Sequence, residues 1–376
     1  MSNTNMDALY PEFWAAAFDA LDVGEFNLQE HVSRSLENQI ASFGDTVNVP
    51  VVPSIADAGD WTPGGTITPD NNTQSTVVLS LNKSKAKTFA LTDRELSLSP
   101  YNLIGSWGIG YAKSLLRTVN KDIYAEALKS NQFIDATGGI SEDLVADAET
   151  LLSTNEVGYL GRVLIGSPGL IGALRKIDVF RDVDTNATSD IIRDGRITRQ
   201  YGFDIYENNA IAKYTPVDLA GAVVHATEFP IGTTTIVCDA FNDDTMPVRA
   251  GDIFVFGSGD TAKKTVISTT QTAGDTTGIT FYPALTVAVP NDATITVTPT
   301  QSALAMVPGG IAFAARAYAT IDKPGARSSV INVRGLPIRI TVWTDSTTLN
   351  TNVQYDILYG TKLINDNRVV RLIEDL

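Results

Sequence analysis

The spacing of apolar positions changes several times along the chain. In "TVNVPVVP" (46–53) the pattern alternates and is rich in β-branched residues, which predicts a strand. "ADAGDWTPGGTITPDNNT" (56–73) is rich in Gly, Pro, Asp and Asn and predicts a long turn region. "STVVLSLNKSKAKTFALT" (75–92) returns to strand. Together these segments predict a thin β-arm with a polar tip around Trp61. A two-stranded ribbon is marginal alone, so the arm is expected to need a surface to lie on.

From residue 99 the period becomes helical. Trp107, Tyr111, Leu115, Val119, Ile123 and Ala127 recur at i+4, behind an N-cap candidate, Ser99, and a proline suited to the first turn, Pro100. The prediction is a helix of about 30 residues, long enough to act as a spine. It contains "GSWGIGYAK" (105–113), whose three glycines suggest a phosphate loop at first sight. A phosphate loop needs a strand before its glycines and a helix after them. Here the helix begins before them. Gly105, Gly108 and Ala112 fall at i, i+3 and i+7, so they predict a small-residue face that lets another backbone approach, while Gly110 falls elsewhere.

Residues 10–40 read as short helices with acidic faces. "SEDLVADAETLLS" (141–153) predicts a helix headed by Ser141, and "GRVLIGSPGLIGALRKI" (161–177) a strand, a turn and a helix started by Ser167 and Pro168. "DGRITRQYGFDIYENNAI" (194–211) predicts two short strands around Gly202. From about 228, short Thr/Val/Ile strands separated by Gly/Asp/Asn turns predict a small all-β barrel or sandwich up to 300. After 301 the earlier mixture of helix and strand is expected to resume, so the β module reads as inserted. The chain closes with three strand-like runs, "SSVINVRGLPIRITVW", "VQYDILYG" and "RVVRLI".

Length predicts two or three domains. A net charge of −15 argues against a non-specific nucleic-acid binder. The acidity is uneven. Residues 1–70 carry Asp19, Asp22, Glu25 and eight further acids against one base, Arg34, whereas 83–129 hold Lys83, Lys85, Lys87, Arg94, Lys113, Arg117, Lys121 and Lys129. Lys113, Arg117 and Lys121 lie at i, i+4 and i+8 and read as a partner-binding stripe or a solvated helix face. The acidic arm, own or a neighbour's, is the candidate partner. The acidic start lacks a basic leader, which argues against a secretory signal, and no run of 18 apolar residues suggests a membrane span.

Candidate chemistry is sparse. One cysteine, Cys238, excludes an internal disulfide framework and reads as a small buried hydrophobe that suits a reducing compartment. His31 and His225 stand apart without a liganding pattern, and there is no G-x-S-x-G elbow. The cluster Asp239, Asn242, Asp243 and Asp244 lacks the glycine and closing glutamate of a calcium loop and reads as a solvated turn. No catalytic, cofactor-binding or metal residues are assigned, and no enzyme is expected.

This order of arm, β-loop, spine helix and inserted β module resembles the major capsid proteins of tailed double-stranded DNA phages, the Hong Kong 97-type (HK97-like) α+β fold. "GRITRQYGFDIYENN" (195–209), "IAFAARAYATIDKPGARSSVINVRGLPIRITVW" (311–343) and "YDILYGTKLINDNRVVRLI" (355–373) resemble family segments. The insertion is similar to that of the coat protein of the short-tailed Salmonella phage. The resemblance implies an N-terminal arm (1–44), an extended β-loop (45–98), a spine helix of the peripheral domain (99–140), an axial domain (141–227 and 301–330), an inserted β domain (228–300) and peripheral strands (331–376). It implies a structural protein of the virion, assembled in the host cytoplasm. Its partners would be itself, in pentamers and hexamers, with scaffolding, portal and decoration proteins, and enclosed DNA without sequence-specific binding; no membrane is involved. The contact candidates are Lys113, Arg117, Lys121, Asp19, Asp22, Glu25 and Trp61. Lys83, Lys85 and Lys87 are lysine cross-link candidates by type, with a solvated strand edge as the other reading. Competing readings are a bacterial nanocompartment (encapsulin-like) shell, which usually lacks such an insertion, a surface-layer or adhesin-like β protein, and a hydrolase or nucleotide-binding enzyme.

Overall fold

The computed structural model describes residues 26–35, 46–51, 74–92, 103–181, 199–211, 223–224, 228–239, 248–271, 277–323, 325–345 and 350–375, with isolated positions between them. β1 (Thr46–Val51) and β2 (Ser75–Ser80) form the expected antiparallel ribbon, in register from Thr46 opposite Ser80 to Val51 opposite Ser75. β3 (Lys83–Leu91) leaves the ribbon, which corrects the reading of 75–92 as one piece of arm. Alternation alone cannot say which strand a segment pairs with.

The spine is α1 (Leu103–Ala127), 25 residues and about 37 Å long at 1.5 Å per residue. Ser99 and Pro100 lie outside the described residues. Leu115, Val119, Ile123 and Ala127 of the i+4 row are buried, but Tyr111 is half-buried and Trp107 is 43% exposed. An i+4 row drifts about 40° around the helix at each step, so a long row cannot stay on one face. The buried stripe is the row Ala112, Leu115, Leu116, Val119, Ile123 and Tyr124.

β4 (Phe133–Asp135) precedes α2 (Glu142–Thr154), where Ser141 caps by accepting from Leu144 N. β5 (Val163–Gly166) leads into α3 (Pro168–Leu174), whose cap Ser167 accepts from Leu170 N. A short α4 (Asp178–Arg181) follows, then β6 (Arg199–Gln200) and β7 (Phe203–Glu207), joined by the left-handed Tyr201–Gly202 corner as expected.

β8 (Val223–Val224), β9 (Thr235–Asp239), β10 (Ile253–Phe256), β11 (Lys264–Gln271), β12 (Thr277–Tyr282) and β13 (Ile295–Val297) form the all-β module, in the order β13-β10-β11-β12-β9-β8. Its two ends meet: Val224 N donates to Ala293 O and Asp292 N to Val224 O, which closes the sheet into a barrel. The barrel thus begins at Val223, not at 228, because Val223 and Val224 pair with β9. Its core holds Phe254, Phe256 and Phe281, edge-to-face, and Cys238, buried as expected.

After 301 the described residues contain strands and one 3₁₀ turn, without the expected return of helix. β14 (Thr300–Met306), β15 (Ile311–Arg316), β16 (Asp322–Lys323), β17 (Ala326–Val333), β18 (Leu336–Thr344), β19 (Thr351–Leu363) and β20 (Val369–Asp375) split between two sheets. One sheet runs β4-β20-β14-β5-β7-β6. The other runs β15-β19-β18-β17-β16, with β3 along β19. A boundary at 330 therefore does not follow the sheets. β15 already joins the β19 sheet, and β20 returns to β14, where each strand's alternate residues find a covered face.

α1 packs against both sheets. From the β14 sheet, Val163, Ile165, Leu304, Met306 and Val369 face the α1 core. Their neighbours Leu164, Ala303, Ala305, Val370 and Leu372 face α2 and α3. The ribbon finds its surface on β15: Val49, Leu79 and Leu81 pack on Ala312 and Ala314. Where the ribbon crosses β19, a side chain at Gly360 would strike the Ser80 carbonyl, so glycine admits the close approach.

Candidate subunit-contact surface

Residues 26–34 form a strap across α1. Asn120, fully buried, accepts from Leu28 N at 2.9 Å and donates to Gln29 Oε1 at 2.8 Å. Asn208, at the end of β7, donates to Asn120 Oδ1 at 3.1 Å and to Asn27 Oδ1 at 3.0 Å. Buried amides are stable only when satisfied, so this network fixes one course for the strap. Farther on, Ser33 N donates to Ile311 O and Ser33 O accepts from Phe313 N, both at 2.9 Å. Arg34 Nη2 donates to Gly335 O at 2.5 Å, and its guanidinium lies 5.9 Å from the Phe313 ring centre. Nothing local in "FNLQEHVSR" announces this role; its partners outside the strap lie 91 to 301 residues away.

Of the basic stripe, Arg117 and Lys121 are exposed and Lys113 is half-buried. Arg117 lies over the Phe26 ring at 5.8 Å from its centre, so the stripe already touches the strap at the root of the acidic arm. Asp19, Asp22, Glu25 and Trp61 lie outside the described residues. Ala112 and Gly108 are buried, and no burial is described at Gly105.

Beside the stripe, β3 lies along α1. Lys83 pairs with Asp122 at 3.4 Å, and Asp122 accepts from Tyr359 Oη at 2.6 Å. Burial and this carboxylate together push the Tyr359 hydroxyl pKa up. Lys87, Trp107, Gly110, Tyr111 and Ser114 border an open cleft of about 560 Å³. Phe89 meets Trp107 edge-on at 5.9 Å and Tyr111 at 4.8 Å. Lys83 thus faces the spine helix, whereas Lys87 is exposed at the border of the cleft, as the solvated-edge reading expects.

Among the described residues, Arg371 and Lys263 join the barrel to the body. Arg371 of β20, fully buried, donates to Leu128 O at 2.6 Å, to Gly251 O at 2.8 Å and to Thr265 Oγ1 at 2.5 Å. Burial pushes its pKa down to about 10, which still leaves it charged at neutral pH. Lys263 donates to Asp135 Oδ1 at 2.6 Å. Within the barrel, Lys264 and Asp260 form a buried pair at 2.9 Å. Burial alone would raise the Asp260 pKa. Hydrogen bonds from Thr286 N, Lys264, Ala262 N and Thr286 Oγ1 outweigh it and hold the pKa at about 2.

His31 packs tilted against Tyr206, ring centres 4.4 Å apart, and burial lowers its pKa despite Asp204 nearby. His225 and Asn242 to Asp244 lie outside the described residues. Among the described residues no group of His, Cys, Asp and Glu is placed to hold a metal ion, and no helix is long and apolar enough to cross a membrane. The arrangement offers contact surfaces: an exposed basic stripe, an aromatic cleft, and a strap leading into an acidic arm.

Solved structures share the fold. A chain of Mycobacterium phage Che8 is similar with a TM-score of 0.54 at 16% identity, over 91% of this chain and 88% of that one. A chain from the capsid structure of the cyanophage P-SCSP1u is similar with a TM-score of 0.52 at 10% identity, over 92% and 86%. A chain from the asymmetric unit of the bacteriophage PhiM1 mature capsid gives 0.50 at 10% identity, over 88% and 82%. No curated protein matches the sequence. Residues 74–257 match a family model described as "Phage capsid protein". Across that stretch the chain carries the sequence pattern of phage capsid proteins, and the fold is one it shares with phage capsid chains. The matched stretch contains β2, β3, α1 and the barrel's first strands, so the family pattern runs through the frame described above. The capsid protein is thus structural, a shell-forming component of the virion and not an enzyme, with the α+β fold expected from the sequence. The phage match also sets this reading above the nanocompartment, surface-layer and nucleotide-enzyme alternatives.

Proposed function

We propose that copies of this capsid protein associate as pentamers and hexamers of an icosahedral shell, assembled in the host cytoplasm around double-stranded DNA that is enclosed without sequence-specific binding. The observation that carries the proposal is the exposed Arg117–Lys121 stripe beside the strap, with the strongly acidic segment 1–70 attached to it. In this reading Lys113, Arg117 and Lys121 attract Asp19, Asp22 and Glu25 of the arm, and the loop around Trp61 reaches a neighbour. Gly105 and Gly108 keep the spine's small face open. Scaffolding, portal and decoration proteins complete the partner set. The barrel's place between β7 and β14 supports an inserted domain of the Salmonella-type branch, here bounded at 223 and 300. An excised 223–300 fragment should then show β-type circular dichroism and a cooperative melt; a disordered fragment would remove the independent domain.

Exposed ion pairs are worth only about 0–1 kcal/mol each, but a shell repeats each contact many times. Replacing Lys113, Arg117 and Lys121 with Glu should leave the monomer folded and block assembly, read by electron microscopy and light scattering. Reversing Asp19, Asp22 and Glu25 to Lys should restore it. Normal shells from the triple variant, with unchanged salt sensitivity, would refute the stripe's role.

A further inference from the structure

One flank of α1 carries aromatic surface without cover. Trp107 is 43% exposed, Gly110 is exposed, and Tyr111 and Ser114 are half-buried; with Lys87 of β3 they border the open cleft. A Cβ added at Gly110 would meet nothing within 4 Å, so among the described residues no contact requires glycine there. An interior helix glycine costs about 1 kcal/mol relative to alanine. Gly110 and Ser114 lie four positions apart, one turn above the other, and form a track of small residues beside two aromatic rings. Such a track lets a second helix come close to α1. The strap meets α1 at the near end of this track. Arg117 lies over the Phe26 ring and stands three positions past Ser114, about 4.5 Å along the axis. The chain before Phe26 therefore joins the strap within one helical turn of the cleft.

We infer that this cleft is the seat of the same chain's residues 10–21, laid along α1 as an amphipathic helix. Tyr10, Phe13, Trp14, Ala17, Phe18 and Leu21 fall at i, i+3, i+4, i+7, i+8 and i+11, one apolar stripe, while Glu12 and Asp19 fall on the opposite side. Pro11 suits the first turn. Such a helix gains its stability from packing its apolar face, and Trp107 and Tyr111 offer aromatic surface for Trp14 and Phe18 to cover. Twelve helical residues span about 18 Å, against about 10 Å from Ser114 to Trp107. Residues 22–25 reach at most about 13 Å, which is ample for the step back to the strap. On that path Asp22 and Glu25 pass the exposed Arg117–Lys121 crest, where the charges are complementary. A tethered occupant also docks at the high effective concentration of a short linker, which a separate partner lacks. The contact lies within one subunit and is independent of how subunits assemble.

The test uses the full, unassembled chain and follows amide hydrogen exchange of residues 10–21 by mass spectrometry. The parent and Gly110→Ala should exchange there at least about tenfold more slowly than Gly110→Glu, whose side chain fills the track. Position 110 is exposed and open, so the melting temperature of Gly110→Glu should match the parent's. If it falls, Trp14→Ser combined with Phe18→Ser replaces that variant and the same loss of protection is required. With Ser114→Cys and Phe18→Cys in one chain, mild oxidation should form a disulfide within the chain at every protein concentration. Free-chain exchange of residues 10–21 in the parent overturns the inference, and so does protection that persists in the variants. A disulfide found only between chains also overturns it and assigns the cleft to a second copy.

Discussion

The barrel and the spine-centred body solve the same problem in opposite ways. The barrel closes on itself within about 75 consecutive residues, and the buried ion pair Lys264–Asp260 inside it spans four positions. The body draws its core from the whole chain: Phe26, α1, β5, β14 and β20 meet in one cluster. Local closure makes a module that tolerates being placed anywhere. Closure from both ends makes a frame whose parts hold one another in place, and a shell subunit presents its contact surfaces on such a frame. Arg371 is the main polar seam between the two, since it hydrogen-bonds both the end of α1 and two barrel residues.

If the barrel is energetically its own unit, damage inside it stays inside it. Asp260→Ala leaves Lys264 charged, buried and without its carboxylate, a change worth about 3–5 kcal/mol. Calorimetry should show a barrel transition falling by that amount beside an unmoved body transition. A single transition shifting as a whole would break the comparison.

Acid gives a gentler version of the same cut. The Asp260 pKa is depressed from the ordinary carboxylate range to about 2. A depressed pKa contributes stability that is present above the unfolded-state value near 4 and is lost as pH falls through the folded value near 2. The barrel should lose about 2 kcal/mol between pH 4 and pH 2, and Asp260→Asn should flatten that part of its pH profile. Chemical denaturation followed by a barrel-specific probe measures this. An unchanged slope in the variant would place the acid sensitivity elsewhere.

The converse change belongs to the body. Gly108→Leu overpacks a buried position on α1 and should cost about 1–3 kcal/mol there, with the barrel transition unmoved. Parent-like stability of the variant would refute close packing at this face.

What could be read from the sequence was what neighbouring residues decide. Ser141, Ser167 and Pro168 start their helices as read, Gly202 turns its corner, and the barrel's short strands stand close to the expected span. Pairing between distant segments left no such mark. "KSKAKTFAL" alternates like the ribbon strand before it, yet it pairs with β19, at least 260 residues later. Asn120 looks like any polar helix residue until Asn208 and the strap surround it. That Lys113, Arg117 and Lys121 share one side of α1 follows from spacing, whereas the course of the strap does not, because Asn120 and Gly335 lie 91 and 301 residues from the groups they bind.

The strap also sets a timetable. Arg34 must find the Gly335 carbonyl, 301 residues further along the chain. At about 5–20 residues per second, a ribosome takes roughly 15–60 s to cover that interval. When the barrel's last strand has been made, residues 26–34 have α1 and Asn208 to rest on but neither β15 nor the β17–β18 hairpin. Each newly made copy thus passes through an interval in which its barrel is complete and its strap is only partly anchored. Synthesis of β19 and β20 then completes the frame on which the strap is held.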